Sequence, residues 1–222
     1  FILSSLNPYI SIENINVDAI GITNLNFGIT IDANTTGGFN SVATIQNVTF
    51  FGPYGLQLLS SNGGSIQGVN VEKCRFFSSS IGIDGSSITN SNFHELEFYN
   101  QAQFGIRLST GGGGYTESVK IDKCLLAGCI TGICLTNTTR VIITNTVVDY
   151  CFLPLRLVNS TNMRLVNSYF GSSLGIGYKD IFTLYPSLYQ PPDTVFNNLY
   201  QPTDAAVTGD TATGPPTISS SV

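Results

Sequence analysis

One eight-residue pattern recurs six times along this chain: "ATIQNVTF" (43–50), "VNVEKCRF" (69–76), "SNFHELEF" (91–98), "VKIDKCLL" (119–126), "VIITNTVV" (141–148) and "MRLVNSYF" (163–170). Aligned on one anchor position (Val48, Cys74, Leu96, Cys124, Thr146, Ser168), the copies lie 26, 22, 28, 22 and 22 residues apart. Five to seven residues after each comes a second segment: "GLQL" (55–58), "GID" (82–84), "GIRL" (105–108), "GICL" (132–135), "PLRL" (154–157) and "GIGY" (175–178). A unit of this size without helical periodicity cannot bury an apolar face alone. It is stable only when stacked on its copies, so the repeat predicts a β-solenoid.

Parity gives the shape of one coil. In "VKIDKCLL", Val119, Ile121, Cys124 and Leu126 take the small or apolar columns, so the alternation slips by one between 121 and 124. A strand that changes phase over two residues has turned a corner. That corner falls at Asn47, Lys73, Glu95, Lys123, Asn145 and Asn167. Asn tolerates the left-handed conformation a sharp bend needs, and its side chain can bond to its copies above and below. For the first coil, "IENINV" (12–17) and "ITNLNF" (22–27) both match the corner segment. The spacing from Leu25 to Val48 favours the second, although Gly28 then follows with no loop.

Composition agrees with an all-β chain: short β-branched or aromatic runs lie between Gly, Asn, Ser and Thr clusters, and only 10% of residues are charged. A net charge of −5 excludes the clustered-cation surface of a nucleic-acid binder. No apolar run approaches the roughly 20 residues of a membrane span, and no signal-peptide pattern opens the chain at Phe1, so it reads as a fragment or a processed product. Past residue 180 the pattern stops, and six of the nine prolines follow. Tyr185, Leu188, Tyr189, Phe196, Leu199 and Tyr200 are too apolar for a solvated linker. The expected organisation is a lead-in or cap over 1–11, a β-helix over 12–179 and an extended segment over 180–222, either a free-standing tail or, as these side chains favour, one that wraps neighbouring subunits.

Over roughly residues 12–178, the repeat with its two-residue, Asn-bearing corner resembles the right-handed parallel β-helix of the pectin-lyase-like superfamily. The resemblance implies a single-stranded right-handed solenoid with three strands per coil and about six or seven coils. Low charge, no catalytic signature and the Pro/Tyr-rich C-terminal extension look most like a bacteriophage tailspike or tail-fibre domain. Such a domain is expected to be a homotrimer in the virion tail, assembled in the host cytoplasm among other tail proteins, and to contact host-surface polysaccharide. Two alternatives stand beside it: a polysaccharide depolymerase (glycosidase or lyase) of the same fold, and a purely structural solenoid of a virion or adhesin.

The five cysteines are expected to be thiols without disulfides or a bound metal. Cys74 and Cys124 share the inward anchor column two coils apart, about 9–10 Å, beyond disulfide reach. Cys129 and Cys151 stack on adjacent coils, and Cys134 faces out as the most accessible. No Cys-x-x-Cys occurs, and there is one histidine, His94; no cofactor is expected. The charges fall in alternating columns: Lys73–Glu95–Lys123, Glu72–His94–Asp122, Arg75 beside Glu97, and Asp84 beside Arg107. Neighbouring opposite charges suffice to explain them, so Glu72–His94–Asp122 reads as a ladder before it reads as an acid–base site.

In the superfamily the substrate groove runs outside the strand that "GIxL" resembles. Its outward column here is Gln57, Asp84, Arg107, Cys134 and Arg156, with Tyr115 and Tyr150 on the adjoining loops. The resulting glycan-binding set is Gln57, Asp84, Arg107, Arg156, Tyr115 and Tyr150: arginine can fork onto acidic groups and tyrosine can stack on sugar faces. Glycosidase chemistry needs two carboxyls about 5–9.5 Å apart. Asp84, Glu117 and Asp149 are the candidates, with Asp84 and Glu117 the pair that a folded-back "STGGGGYTES" loop could bring together.

Overall fold

The structure is a computed structural model that describes residues 2–4, 9–18, 27–32, 42–60, 64–111, 114–158, 160, 162–172, 183–184, 195–200 and 208–209. Among them there is no helix, and every paired strand is parallel to its neighbours. The chain is a parallel β-helix. One face stacks seven "GIxL" strands, Ile2–Ser4, Ile29–Asp32, Tyr54–Leu59, Ile81–Ser86, Phe104–Ser109, Thr131–Thr136 and Leu153–Val158. The strands before the corner make a second face, among them Val42–Gln46, Asn70–Glu72, Ile88–His94, Thr116–Asp122 and Ile142–Thr144. Those after it make a third, among them Thr49–Phe51, Arg75–Phe77, Glu97–Tyr99 and Leu125–Ala127.

The corner lies where the parity slip puts it. Asn47, Lys73, Glu95, Lys123, Asn145 and Asn167 all have φ between 50° and 53°, the left-handed region. The anchors that follow are buried in every coil. Inside, Phe50, Phe76 and Phe98 stack face to face, with centroids 4.6 Å apart and planes within 5°. This column explains the glycine of "GIxL". A Cβ on Gly55 would lie 2.7 Å from the Phe76 ring and 2.3 Å from the Gly82 carbonyl oxygen. On Gly82 it would meet Phe98 at 2.6 Å and the Gly105 oxygen at 2.7 Å. The stacked rings leave the opposite face no room for a side chain.

Cys, Thr and Ser recur in the anchor column because each can mend the ladder at the bend. The Cys74 and Cys124 thiols donate to the carbonyls of Glu72 and Asp122, and the Thr146 and Ser168 hydroxyls to those of Thr144 and Val166. The same oxygens accept from the coil beneath: Cys124 N–H bonds Thr146 Oγ1, and Thr146 N–H bonds Ser168 Oγ. These are structural thiols: burial pushes Cys74 up to about 11 and Cys124 up to about 12.

Three features differ from the sequence reading, and a fourth resolves a choice it left open. The first corner is Asn14, within "IENINV" and not "ITNLNF": its N–H bonds the Gln46 carbonyl at 3.0 Å, and its Oδ1 accepts from Asn47 Nδ2 at 3.1 Å. The two segments share one pattern, and spacing misleads because 33 residues separate Asn14 from Asn47, more than between any two later corners. Residues 21–26 lie outside the described set; Gly28 belongs to the "GIxL" strand of that coil, its N–H bonded to the Tyr54 carbonyl. Pairing also begins before residue 12, as Ile2–Ser4 registers with Thr30–Asp32. At the other end, Val195–Tyr200 pairs in parallel with strand Arg164–Ser172, so the solenoid's hydrogen bonding continues past residue 179; the rest of 180–222, apart from short pairing at 183–184 and 208–209, lies outside the described residues. Finally, Cys134 sits in the outward column yet is only 4% exposed. It is a short side chain registered between two long ones, Arg107 and Arg156.

Candidate functional site

The "GIxL" face sets its outward residues in strict register: Thr30, Gln57, Asp84, Arg107, Cys134 and Arg156 are successive partners. They form a line along the axis at about 4.8 Å per coil. Within it, Arg107 forks onto Asp84, Nε to Oδ1 at 2.7 Å and Nη2 to Oδ2 at 2.6 Å. Its guanidinium also lies 5.3 Å from the Phe104 ring centroid. The bond to Asp84 raises the Arg107 pKa further against the opposing effect of burial. Arg107 is thus a fixed, neutralised donor, whereas Arg156 has no ion-pair partner among the described residues. Gln57 Oε1 accepts from Thr30 Oγ1 at 3.2 Å.

The tyrosines flank opposite ends of these strands. Tyr115, in the loop leading to Thr116–Asp122, is 72% exposed. Tyr150 is 61% exposed and has φ of 53°. In the register of the third face its position is taken in other coils by Gly52, Ser78, Asn100 and Gly128. A bulky residue in the left-handed region costs on the order of 1 kcal/mol and persists where something else requires it. Sequence reading placed one left-handed column per coil; this turn is a second. Ser and Asn there were the available signal.

Each of the three carboxylate candidates has a partner of its own. Asp84 is held by Arg107, Glu117 pairs with Arg140, and Asp149 Oδ1 accepts from the Tyr150 amide at 2.9 Å. Each is occupied in its own coil or by the adjacent one.

A second constellation lies at the corner. Asp122 is 5% exposed and accepts from Thr144 Oγ1 at 2.5 Å and Asn145 Nδ2 at 3.0 Å, with Lys120 Nζ at 3.3 Å. Burial alone would raise its pKa, but these three partners together outweigh it and hold the carboxyl down to about 2. His94 Nδ1 lies 3.0 Å from Asp122 Oδ2, and Nε2 lies 3.2 Å from Glu95 Oε1. The imidazole therefore lies between Asp122 and Glu95, hydrogen-bonded to Asp122. Glu72 instead pairs with Lys73 at 3.4 Å, so Glu95 bridges to Lys123 (3.5 Å) and not to both lysines. Outside this corner runs a groove of about 590 Å³ lined by Asn47, Lys73, Arg75, Glu95, Glu97 and Lys123 among others.

Cys129 and Cys151 stack on adjacent coils as free thiols; contact with Cys151 lowers the Cys129 pKa and raises that of Cys151. No group of three or more His, Cys, Asp or Glu side chains among the described residues is arranged to hold a metal ion.

No family model and no curated protein matches this sequence. Among solved structures, it is similar to the A-module of mannuronan C-5 epimerase AlgE4 from Azotobacter vinelandii, at 11% identity and a TM-score of 0.36. That match covers 96% of this chain and 90% of the other.

Proposed function

We propose that this chain is the β-helix domain of a virion tailspike or tail fibre that binds host cell-surface polysaccharide along its "GIxL" face. The observation that carries the reading is Tyr150: an exposed ring held in a left-handed conformation where other coils use Gly, Ser or Asn, in the coil that also carries Arg156. Tyrosine and arginine beside a rigid, regularly spaced row suit sugar rings, which offer apolar faces for stacking and hydroxyls for hydrogen bonds. The Asp84–Arg107 pair presents preorganised donors of no net charge, so attraction for acidic sugars rests on Arg156. The free, buried cysteines fit assembly in a reducing host cytoplasm. A homotrimer contacting other tail proteins completes the proposal.

The test is a glycan array of bacterial surface polysaccharides, followed by titration of the best binder. Tyr150→Gly relieves the backbone while removing the ring, so it should weaken binding at least tenfold and leave the thermal midpoint equal or higher. Binding unchanged by Tyr150→Gly and by Arg107→Ala/Arg156→Ala would overturn the assignment. Release of new reducing ends from the bound polysaccharide would move the reading to the depolymerase. No binding to any glycan would leave the structural solenoid.

A further inference from the structure

The corner groove carries chemistry that the glycan-binding face does not use. It is built from two parallel rows one coil apart per step. The corner residues Asn47, Lys73, Glu95 and Lys123 form one, and Thr49, Arg75, Glu97 and Leu125 the other. Four coils span about 14 Å at about 4.8 Å each, the length of roughly three sugars. Its volume, about 590 Å³, lies in the range of small-molecule sites.

Its charged groups are half satisfied in one consistent way. Glu95 meets both His94 Nε2 and Lys123 Nζ most closely through Oε1, and Oε2 accepts no hydrogen bond among the described residues. Glu97 meets Arg75 Nε at 3.1 Å and Tyr99 Oη at 3.4 Å through Oε2, and Oε1 likewise accepts no hydrogen bond among the described residues. Arg75 approaches Glu97 most closely through Nε, and its terminal nitrogens donate no hydrogen bond among the described residues. Behind Glu95, His94 is hydrogen-bonded to buried Asp122, so the ring against which Glu95 lies is held in place before any ligand arrives. The lining therefore offers acceptors with unused hydrogen-bonding capacity between partly engaged donors, and within it three cations stand against two carboxylates, with Glu72 pairing Lys73 from beside the groove.

We infer that this groove is a second saccharide site, on a different face from the "GIxL" line, that takes about three sugars of an anionic oligosaccharide. Hydroxyls donate to Glu95 Oε2 and Glu97 Oε1; acidic groups sit on Lys73, Arg75 and Lys123. The inference rests on the reading of the chain as a glycan binder but uses none of that face's residues.

The experiment titrates the native chain, Lys73→Gln/Lys123→Gln and Arg107→Ala/Arg156→Ala with a hexuronic-acid trisaccharide and with its carboxyl-reduced, neutral counterpart. The lysine variant should bind the acidic trisaccharide at least tenfold more weakly, the arginine variant should retain a site for it, and the native chain should prefer the acidic form. Lys73→Arg/Lys123→Arg, which keeps the charge, should restore binding and separates a lost site from a misfolded one. Binding that survives Lys73→Gln/Lys123→Gln and falls in the arginine variant overturns the corner site while the "GIxL" proposal stands. A native chain that prefers the neutral form, or binds neither, overturns the inference as well.

Discussion

Removing one ring from the internal phenylalanine column measures how the coils hold together. Phe76 has no exposed surface and is sandwiched between Phe50 and Phe98, both centroids at 4.6 Å. Truncating a buried Phe costs about 3–5 kcal/mol through lost transfer energy and the cavity left behind. Two stacked contacts of about 0.5–1.5 kcal/mol each are lost with it, which places Phe76→Ala near 5 kcal/mol. The third face supplies its own control. Phe77 stacks on Phe51 and Tyr99 at 5.2 and 5.3 Å but points outward and is half-buried. Phe77→Ala forfeits stacking with little cavity, about 2 kcal/mol. Chemical denaturation of both variants, with the slope on denaturant unchanged, reads the difference directly. If Phe76→Ala loses under 1 kcal/mol, or no more than Phe77→Ala, the inward register of the column is wrong.

Gly82→Ala forces a methyl against the Phe98 ring at 2.6 Å and the Gly105 carbonyl at 2.7 Å, so denaturation should show a loss of about 1–3 kcal/mol or more; a neutral result would refute the close approach of the two faces. A thiol reagent at pH 8 should leave Cys74 and Cys124 unmodified in the native chain, because burial lifts them to about 11 and about 12. Cys134, at 4% the most exposed of the five, should react first and slowly; modification of Cys124 before Cys134 contradicts the assignment. Asp122 has a folded pKa of about 2, below its ordinary 3.8, so its contribution is present above about pH 4 and lost as pH falls through 2. That contribution is about 2 kcal/mol, and Asp122→Asn should flatten the acid limb of stability between pH 4 and 2; an unchanged limb rules the linkage out.

The coil was legible because stacking forces each position to solve the same problem in every repeat. The parity slip located Lys73, Glu95 and Lys123 at left-handed corners although none is Asn or Gly, and the Phe50–Phe76–Phe98 and Asp84–Arg107 neighbours followed from the same alignment. What depends on side-chain reach was hidden. Cys134 is covered by neighbours whose length, not position, matters. Lys73 turns to Glu72 in its own coil instead of Glu95 in the next. The left-handed turn at Ser78, Asn100 and Tyr150 keeps a constant distance from the corner, but its residue type runs from Gly to Tyr, so no single side-chain chemistry marks it. The corner groove escaped for another reason: alternating signs read as a satisfied ladder, and only atomic contacts show which oxygen of Glu95 and Glu97 accepts no hydrogen bond among the described residues.

The central claim is that the outward line of the "GIxL" face guides a polysaccharide along the solenoid axis. A crystal structure with an oligosaccharide from the bound host polysaccharide tests it most directly. The account predicts a chain lying parallel to the axis, with contacts to Arg156 and the Asp84–Arg107 pair and a sugar ring on Tyr150. An oligosaccharide that crosses the strands' stacking direction, or lies on another face with Tyr150 and Arg156 bare, would contradict it.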